Sequence, residues 1–352
     1  MLRDVLNRTA SQFDVAIGAA IFHRSARARV SSSESLGHAE RMRVLREITA
    51  VYDRPEHYLP DGGFFAAPGP IAPRVEPVRP LRGGEVVDWY WPSAFALHAA
   101  DVAGRYLCHE ENRTAAARLF LHGGSPRPAV LLLHGYRAGQ WAIEERVWPI
   151  PWLFAKGFDV VLPVLPFHAV RAPRRSPPLF PGSDPRVTNE GFRQAVLDLR
   201  ALGRHLLDRG APHLGVMGMS LGGYTAALLA TVEGRLSFAV PMIPLASIAL
   251  LVKSLGRLVG TPEEQRAQFE ALEGAYRPVS PLARAPRLDP GRVLVVAAEG
   301  DRITPIDHAR WLAQHFGSPL QVFHGGHILQ FGRAEAFRAV GRMLGRLGLF
   351  TG

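Results

Sequence analysis

The chain has 352 residues, 47% of them hydrophobic, and a formal net charge of +10. This length and composition allow one large domain, or one domain with insertions. The single cysteine, Cys108, excludes an internal disulfide framework, gives no support to a cysteine-based metal site and fits a reducing, cytoplasmic compartment.

The positive charge comes almost entirely from arginine, because Lys156 and Lys253 are the only lysines. The densest basic cluster lies at residues 171–175 and is too short for a nucleic-acid footprint, so we predict no nucleic-acid partner. No run of 18 apolar residues occurs, so we predict no stable membrane insertion. The apolar patch at residues 15–22 follows Asp14 and is interpreted as part of a helix rather than a signal peptide.

The first third of the chain carries no chemical motif. Residues 1–60 are predicted to be helical and polar, and residues 58–84 are rich in proline and glycine, which predicts an extended connection. We therefore divide the chain into a helical extension with a proline-rich linker, residues 1–83, and a regular domain, residues 84–352.

The regular domain alternates predicted strands with predicted helices. The strands are predicted at residues 85–91, 115–121, 129–133, 158–165, 237–243, 292–298 and 320–323, with one more whose apolar run is 214–217 and which ends at Ser220. The helices are predicted at residues 141–156 (in part), 188–209, 224–230, 307–315 and 334–347, with a mostly helical stretch at 245–289. Continuous apolar runs such as 129–133 are typical of strands buried on both faces. The alternation predicts an α/β fold with a mostly parallel sheet, helices on both faces and ligands at the carboxyl ends of the strands.

Ser220 stands in the pattern G-x-S-x-G at residues 218–222, between a predicted strand and a predicted helix. A turn this sharp excludes bulky side chains on either side of the serine, and it lifts the hydroxyl off the backbone. The helix behind it presents unpaired N–H groups to a developing anion. The alternative interpretation is a glycine-rich turn in which Ser220 is an ordinary helix N-cap.

A serine nucleophile needs a base and a group that orients the base. Asp301 directly follows a predicted strand and is the candidate acid, with Glu299 as the runner-up, whereas Asp307 is predicted to open the next helix. His327 follows the last strand and is the candidate base, with His324 as its rival. Two glycines before His327 give its loop conformational freedom.

Backbone amides are the candidates for holding the oxyanion. The N–H groups of Leu221, just after the nucleophile, and of Tyr136, just after a strand ending in His-Gly, are predicted to form the oxyanion hole. Two histidines three residues apart could suggest a metal, but no third ligand stands at a fitting spacing, so we predict no metal and no cofactor.

The segments LLLHGY at 131–136, GMSLGG at 218–223, GDRITP at 300–305 and GGH at 325–327 resemble the α/β-hydrolase superfamily. The order Ser, Asp, His is that of the superfamily. The resemblance covers about residues 85–350 and implies the α/β-hydrolase fold, a Ser220–Asp301–His327 triad and acyl-transfer chemistry. The single-glycine form after His134 looks more like the esterase, dienelactone-hydrolase and peptidase-like branches than the HGGG lipases.

We therefore expect a serine hydrolase that cleaves a small-molecule carboxylic ester through an acyl-enzyme. An amidase, a peptidase or an acyltransferase could use the same triad, and a non-catalytic binding protein on a hydrolase fold is the alternative from another class. The sequence does not specify an oligomeric state.

Three features around the site remain open at this point. Residues 244–290 are a possible cap, whose helix at 248–252 either lines an acyl pocket or packs as a core helix. The tryptophans Trp141, Trp148 and Trp152 either wall the pocket or pack elsewhere. The arginine-containing loop at 171–175 either favours an anionic substrate or is a solvated loop, and we favour the solvated loop.

Overall fold

The computed structural model describes residues 2–27, 36–59, 63–173 and 179–350. Within these ranges, nine strands form one sheet. They are β1 (Arg74–Leu81), β2 (Gly84–Pro92), β3 (Thr114–His122), β4 (Ala129–Leu133), β5 (Asp159–Pro163), β6 (Leu214–Met219), β7 (Phe238–Met242), β8 (Val295–Ala298) and β9 (Leu320–Phe323).

The strands follow the order β1-β2-β3-β5-β4-β6-β7-β8-β9. Six strands from β5 to β9 are mutually parallel, and β1, β2 and β3 extend the sheet with antiparallel pairs. The predicted mostly parallel sheet is therefore confirmed.

The same described ranges contain eleven α-helices. They are α1 (Leu2–Arg27), α2 (His38–Tyr52), α3 (Ala103–Leu107), α4 (Trp141–Val147), α5 (Ile150–Ala155), α6 (Pro185–Asp208), α7 (Leu221–Val232), α8 (Ile248–Ser254), α9 (Pro262–Tyr276), α10 (Ile306–Phe316) and α11 (Arg333–Arg346). None of the helices in the described part of the chain is both long and apolar enough to cross a membrane.

The core has two apolar layers, one on each face of the sheet. Alternate residues of β4 enter opposite layers: Leu131 packs with α6, α7 and α10, while Leu132 packs with α5 and α11. This alternation is the geometry of an extended strand. Because both faces are covered, all five residues of β4 are buried, as its unbroken apolar run predicts.

The proline-rich stretch differs from its prediction. Residues Arg74–Leu81 form the edge strand β1, paired with β2, where the sequence predicts an extended connection. Proline is tolerated on an edge strand because one side of that strand needs no ladder hydrogen bonds, so proline content alone does not exclude a strand there. The division of the chain at residue 83 stays a prediction.

The long helix α6 carries a buried polar stripe beside its apolar face. Glu190, Gln194 and Asp198 recur every four residues, so they lie on one side of the helix. The Tyr52 hydroxyl donates to Glu190 at 2.7 Å, and the Tyr106 hydroxyl donates to Gln194 at 2.8 Å. The stripe thereby fixes segments that precede the parallel sheet onto the main domain.

For Arg171, the structure contradicts both interpretations of its loop, the solvated one and the anion-binding one. Its side chain is 1% exposed, pairs with Asp198 at 2.8 Å and donates to the carbonyl groups of Val164 and Asn112. Arginine is seldom buried unless it is paired, and here a carboxylate of α6 supplies the partner. It therefore neither faces solvent nor binds a substrate anion; Arg174 and Arg175 lie outside the described residues.

Candidate active site

Ser220 lies between β6 and α7 in a backbone conformation that L-residues rarely adopt, with φ 57° and ψ −114°. Its N–H donates to the carbonyl of Met242 at 3.0 Å, which ties the turn to β7. A side chain on Gly218 would collide with the carbonyl oxygen of Gly222, and one on Gly222 would collide with that of Leu133. Both glycines are therefore required by close backbone approaches.

The N-cap interpretation of Ser220 does not fit this geometry. A capping serine is in the extended region and accepts a hydrogen bond from the second or third residue of its helix. The Ser220 side chain makes no cap hydrogen bond, and the residue is half-buried on the wall of a cavity. Its hydroxyl therefore faces the cavity, and the first N–H groups of α7 have no partner within the helix.

Asp301 and His327 are brought together at the ends of β8 and β9. His327 Nδ1 lies 2.7 Å from Asp301 Oδ2, and both residues are buried. The other carboxylate oxygen of Asp301 accepts the N–H groups of Ile303 and Thr304, each at 2.8 Å. With Nδ1 directed at the carboxylate, Nε2 is the ring nitrogen left to accept a proton.

Thr304 links Asp301, His327 and the residue that follows β7, and sequence reasoning missed it. Its hydroxyl lies 2.9 Å from Asp301 Oδ2, 3.1 Å from His327 Nδ1 and 3.0 Å from the carbonyl of Ile243. Ile243 directly follows Met242, which accepts the Ser220 N–H. The turn that holds Ser220 and the loop that carries Asp301 are therefore anchored to two adjacent residues at the end of β7.

The environment of His327 favours its protonated form. Burial on its own lowers the pKa of the imidazole, but the charge and hydrogen bond of Asp301, and then the charge of Asp14, outweigh it, so the pKa of His327 is raised above its ordinary value of 6.5. A raised pKa strengthens the imidazole as a proton acceptor, provided the solution is alkaline enough to keep it neutral.

Asp301 and His327 are hydrogen-bonded to each other, and Ser220 lies on the cavity wall. No hydrogen bond between described residues links Ser220 to that pair. Catalytic hydrogen bonds are commonly long in unliganded enzymes and tighten when substrate binds. The three-residue assembly thus stays a prediction.

The two predicted oxyanion residues, Tyr136 and Leu221, line the same cavity as Ser220. His134 supports the loop that carries Tyr136: its Nδ1 donates to the carbonyl of Gly135 at 2.8 Å, and its Nε2 accepts the N–H of Leu165 at 3.0 Å. Burial lowers the pKa of His134 to about 4. The ring is therefore neutral at physiological pH, as this pairing requires.

The rival residues have other partners. Glu299 is exposed and accepts from Arg3 and Asn7 of α1. His324 Nδ1 lies 3.7 Å from Glu335 Oε1. Asp307 lies in the first turn of α10, as predicted. Among the described residues, no three His, Cys, Asp or Glu side chains cluster in a way that could hold a metal ion.

The cavity beside Ser220 has a volume of about 110 Å³ and mostly apolar walls. Leu245 precedes α8, and Ile248, Leu251 and Val252 belong to it; all four line the cavity. The helix also packs on the core through Ile248 and Ala249, so both interpretations of residues 248–252 describe part of it. Whether 244–290 is a separate cap stays a prediction.

The three tryptophans do not line this cavity. Trp148 is buried in the layer beneath α5 and α11, and Trp141 and Trp152 pack against the same layer. The Trp141 indole N–H donates to the carbonyl of Leu162 at 3.1 Å. Packing, the second of the two interpretations, is the one observed.

Asp14 is the second residue that sequence reasoning missed. It lies in α1, is fully buried and accepts the backbone N–H of His327 at 2.7 Å. Nothing in the sequence distinguishes it from Asp4, the exposed acidic residue near the start of the same helix. The partner is 313 residues away in the chain, so no local spacing could reveal it.

Solved structures with a similar fold are hydrolases by title. An acetyl xylan esterase from Paenibacillus sp. R4 is 16% identical, with 86% of this chain and 93% of that chain covered and a TM-score of 0.54. Acetyl xylan esterase 1 from Thermoanaerobacterium sp. JW/SL YS485 is 17% identical, with 90% and 99% covered and a TM-score of 0.56. An esterase from Pyrococcus furiosus is 16% identical, with 79% and 100% covered and a TM-score of 0.52. At these identities, the likeness shows the fold alone.

No protein-family model matches the chain. Two Mycobacterium tuberculosis sequences, "Uncharacterized protein MT2702" of strain CDC 1551 / Oshkosh and "Uncharacterized protein Rv2627c" of strain H37Rv, are each 31% identical to it over 298 residues. The match covers 82% of this chain and 70% of each of those proteins. The chain therefore belongs to the same family as these two M. tuberculosis proteins, and its fold is the α/β-hydrolase fold.

Proposed function

We propose that the protein is a serine hydrolase that cleaves a carboxylic ester through an acyl-enzyme. Ser220 is the nucleophile, His327 is the base and then the acid, and Asp301 orients the imidazole. The amides of Tyr136 and Leu221 hold the oxyanion, and no cofactor takes part.

One observation carries this proposal: Ser220 has a strained, non-capping geometry that turns its hydroxyl toward a cavity. Backbone strain of this kind costs about 1–3 kcal/mol and persists where the surrounding structure enforces it, as at many catalytic sites. The buried Asp301–His327 pair at the same end of the sheet supplies the partner that a serine nucleophile needs.

The proposed reaction has two halves. In the first, Ser220 Oγ attacks the ester carbonyl while His327 Nε2 takes its proton; the alcohol then leaves with that proton, and the acyl group stays on Ser220. In the second, His327 takes a proton from water, the hydroxide attacks the acyl-enzyme, and the carboxylic acid leaves as the proton returns to Ser220. The oxyanion formed in each half is the charge that the two amides stabilise.

The cavity supports a substrate with an apolar acyl group. Its lining includes four aliphatic side chains from α8 and the segment just before it, together with the charged residue Arg257. Apolar surface buried by a ligand contributes about 25 cal/mol per Å². An ester is proposed over an amide because the three solved structures described above, each with a TM-score above 0.5, are esterases by title.

Labelling with a fluorophosphonate probe tests the nucleophile. The intact protein is expected to form one covalent adduct by mass spectrometry, and Ser220→Ala is expected to abolish it, because the probe reacts only with an activated hydroxyl. Ser183→Ala is the matched control, since Ser183 lines the same cavity and has no assigned role. Labelling of Ser220→Ala at the rate of the intact protein would rule out this nucleophile.

Substrate panels then separate the alternatives. Turnover of p-nitrophenyl esters without turnover of aminoacyl p-nitroanilides supports the esterase, and the reverse supports an amidase or peptidase. Acyl transfer to an added alcohol in preference to water would indicate an acyltransferase. A folded protein that reacts with no serine probe would support the non-catalytic alternative.

A further inference from the structure

The N-terminal helix α1 lies against the two loops that carry Asp301 and His327. Asn7 Oδ1 accepts the N–H of Gly325 at 2.7 Å, and the Ser11 hydroxyl donates to the carbonyl of Gly300 at 2.7 Å. The contact residues of α1 recur with helical spacing, so one face of the helix makes the contact. They are Asn7, Ala10, Ser11, Asp14 and Gly18.

Asp14 is the centre of this contact. Its Oδ2 accepts the N–H of His327 at 2.7 Å and that of Arg302 at 3.2 Å, and its Oδ1 accepts the N–H of Ile328 at 3.0 Å. The residue is 0% exposed. One carboxylate therefore fixes the backbone directly after Asp301 and the backbone of His327 itself. Hydrogen bonds to a buried charged group are stronger than neutral ones.

The closeness of the approach explains two glycines of the site motifs. A Cβ on Gly326 would lie 2.5 Å from Asp14 Oδ2 and 3.0 Å from the Ala10 Cβ, and a Cβ on Gly300 would lie 2.8 Å from the Asn7 carbonyl oxygen. Sequence reasoning gave the glycines before His327 a role in loop freedom. Gly325, at φ +125°, has that role, whereas Gly326 instead makes room for α1.

We propose that Asp14 is a positioning residue of the active site, which holds the His327 loop against the Asp301 loop and supplies a second negative charge to the imidazolium. The inference rests on the proposed hydrolase function. It assigns a task in the reaction to α1, a helix without a sequence motif. Asp14 touches no reacting atom in this scheme and acts through His327.

The charged groups that act on His327 come from two elements, since Asp301 belongs to the loop after β8 and Asp14 to α1. His308 of α10 interacts with Asp301. Burial lowers the pKa of His308 to about 4, so this ring is neutral and adds no positive charge beside Asp301. Two carboxylates thus act on one imidazole, and removing the charge of either one lowers its pKa.

The variant Asp14→Asn tests the proposal because it keeps the shape of the side chain and removes its charge. We expect kcat/KM for a p-nitrophenyl ester to fall by about 10- to 100-fold, with the loss mainly in kcat, as for other groups that orient a catalytic residue. The acid limb of the pH profile should move to lower pH. Asp4→Asn is the matched control, because it removes the same charge from an exposed position on the same helix.

A second measurement needs no substrate. The imidazole pKa of His327 is followed by NMR in the whole protein, with His327→Gln identifying its signal. We expect a pKa lower by about half a unit or more in Asp14→Asn and an unaltered one in Asp4→Asn. If the intact protein fails to hydrolyse esters or to react with the probe, the proposed function falls, while the NMR titration still decides the role of Asp14.

Unaltered kinetics and an unaltered His327 pKa in folded Asp14→Asn would overturn the inference. If Asp14→Asn does not fold, Gly326→Ala takes its place, because the added methyl group displaces the Asp14 carboxylate without removing it. The same drop in the His327 pKa is expected there. An unaltered pKa with α1 displaced would equally overturn the proposal.

Discussion

At the scale of single residues, the backbone conformation of Ser220 carries an energetic cost. Its positive φ is unfavourable for any residue with a Cβ, and glycine alone adopts it freely. Neighbouring backbone atoms of β4 and α7 enforce this geometry, because they approach Gly218 and Gly222 too closely for the turn to relax. The strained backbone is therefore part of the geometry that directs the Ser220 hydroxyl toward the cavity.

This strain predicts different stabilities for two inactive variants. Ser220→Gly should be more stable than Ser220→Ala by about 1 kcal/mol, because alanine keeps the Cβ in the unfavourable region and glycine does not. The comparison is made by urea unfolding, with both variants silent toward the fluorophosphonate probe. Equal unfolding midpoints would contradict the assignment of strain to this residue.

The raised pKa of His327 sets the pH dependence of the proposed reaction. The imidazole must be neutral to take the Ser220 proton, so kcat/KM should rise with pH through the His327 pKa and reach half its plateau above pH 6.5, the ordinary value. Asp301→Asn should lower that midpoint, because it removes the strongest of the effects that raise the pKa. A half-maximal pH below 6.5 in the intact protein would argue against His327 as the base.

The residues that sequence could supply are those with local signatures. Ser220, Asp301 and His327 each follow a predicted strand within a short motif, and the structure confirms those strand ends. Thr304 and Asp14 carry no such signature, since each acts through a contact with a distant segment. Arg171 was misjudged for the same reason: its partner, Asp198, lies on another element.

At the scale of elements, α8 forms part of the cavity wall beside Ser220, so under the proposed function it limits which acyl groups fit there. Leu251 is half-buried and lines the cavity, so a larger side chain there occupies space that substrate would use. Residues that face away on the same helix, such as the exposed Ser254, do not line it.

The variant Leu251→Trp should therefore shift the preference toward short acyl groups. We expect kcat/KM for a p-nitrophenyl hexanoate to fall about 10-fold or more relative to the acetate, since each methylene that loses its apolar contact costs about 1–3 kcal/mol. Ser254→Trp is the control on the same helix and should leave the ratio unchanged. A ratio that is equal in both variants would place the acyl group elsewhere.

Helix α1 shows why some elements resist prediction of their role. Its existence was predicted, but Val5, Phe13 and Val15 are exposed, whereas the buried face carries small and polar residues. Hydrophobic periodicity identifies the face that packs on an apolar core. The buried face of α1 instead makes hydrogen bonds with backbone groups of two loops. Hydrophobic periodicity cannot predict a contact of that kind.

At the scale of the whole molecule, the parallel part of the sheet was predictable because the same strand-and-helix pattern repeats along the chain. Each strand from β4 to β9 is an apolar run between helices, and the crossover rules leave few ways to assemble such a chain. The antiparallel edge was harder, since β1 is an exposed strand with prolines and lacks an apolar run. The polar stripe on α6, which joins the early segments to this sheet, was also not predicted, because polar residues with helical spacing are equally typical of a solvent-exposed helix face.

The contact between Asp14 and His327 has a consequence for synthesis of the protein. The two residues are 313 positions apart, so at about 5–20 residues per second a ribosome makes His327 roughly 15–60 s after Asp14. Throughout that interval, α1 lacks the loops against which it packs. The last strand, β9, and the loop of His327 are made within a few residues of each other, so α1 can reach its final position only when nearly the whole chain has been synthesised.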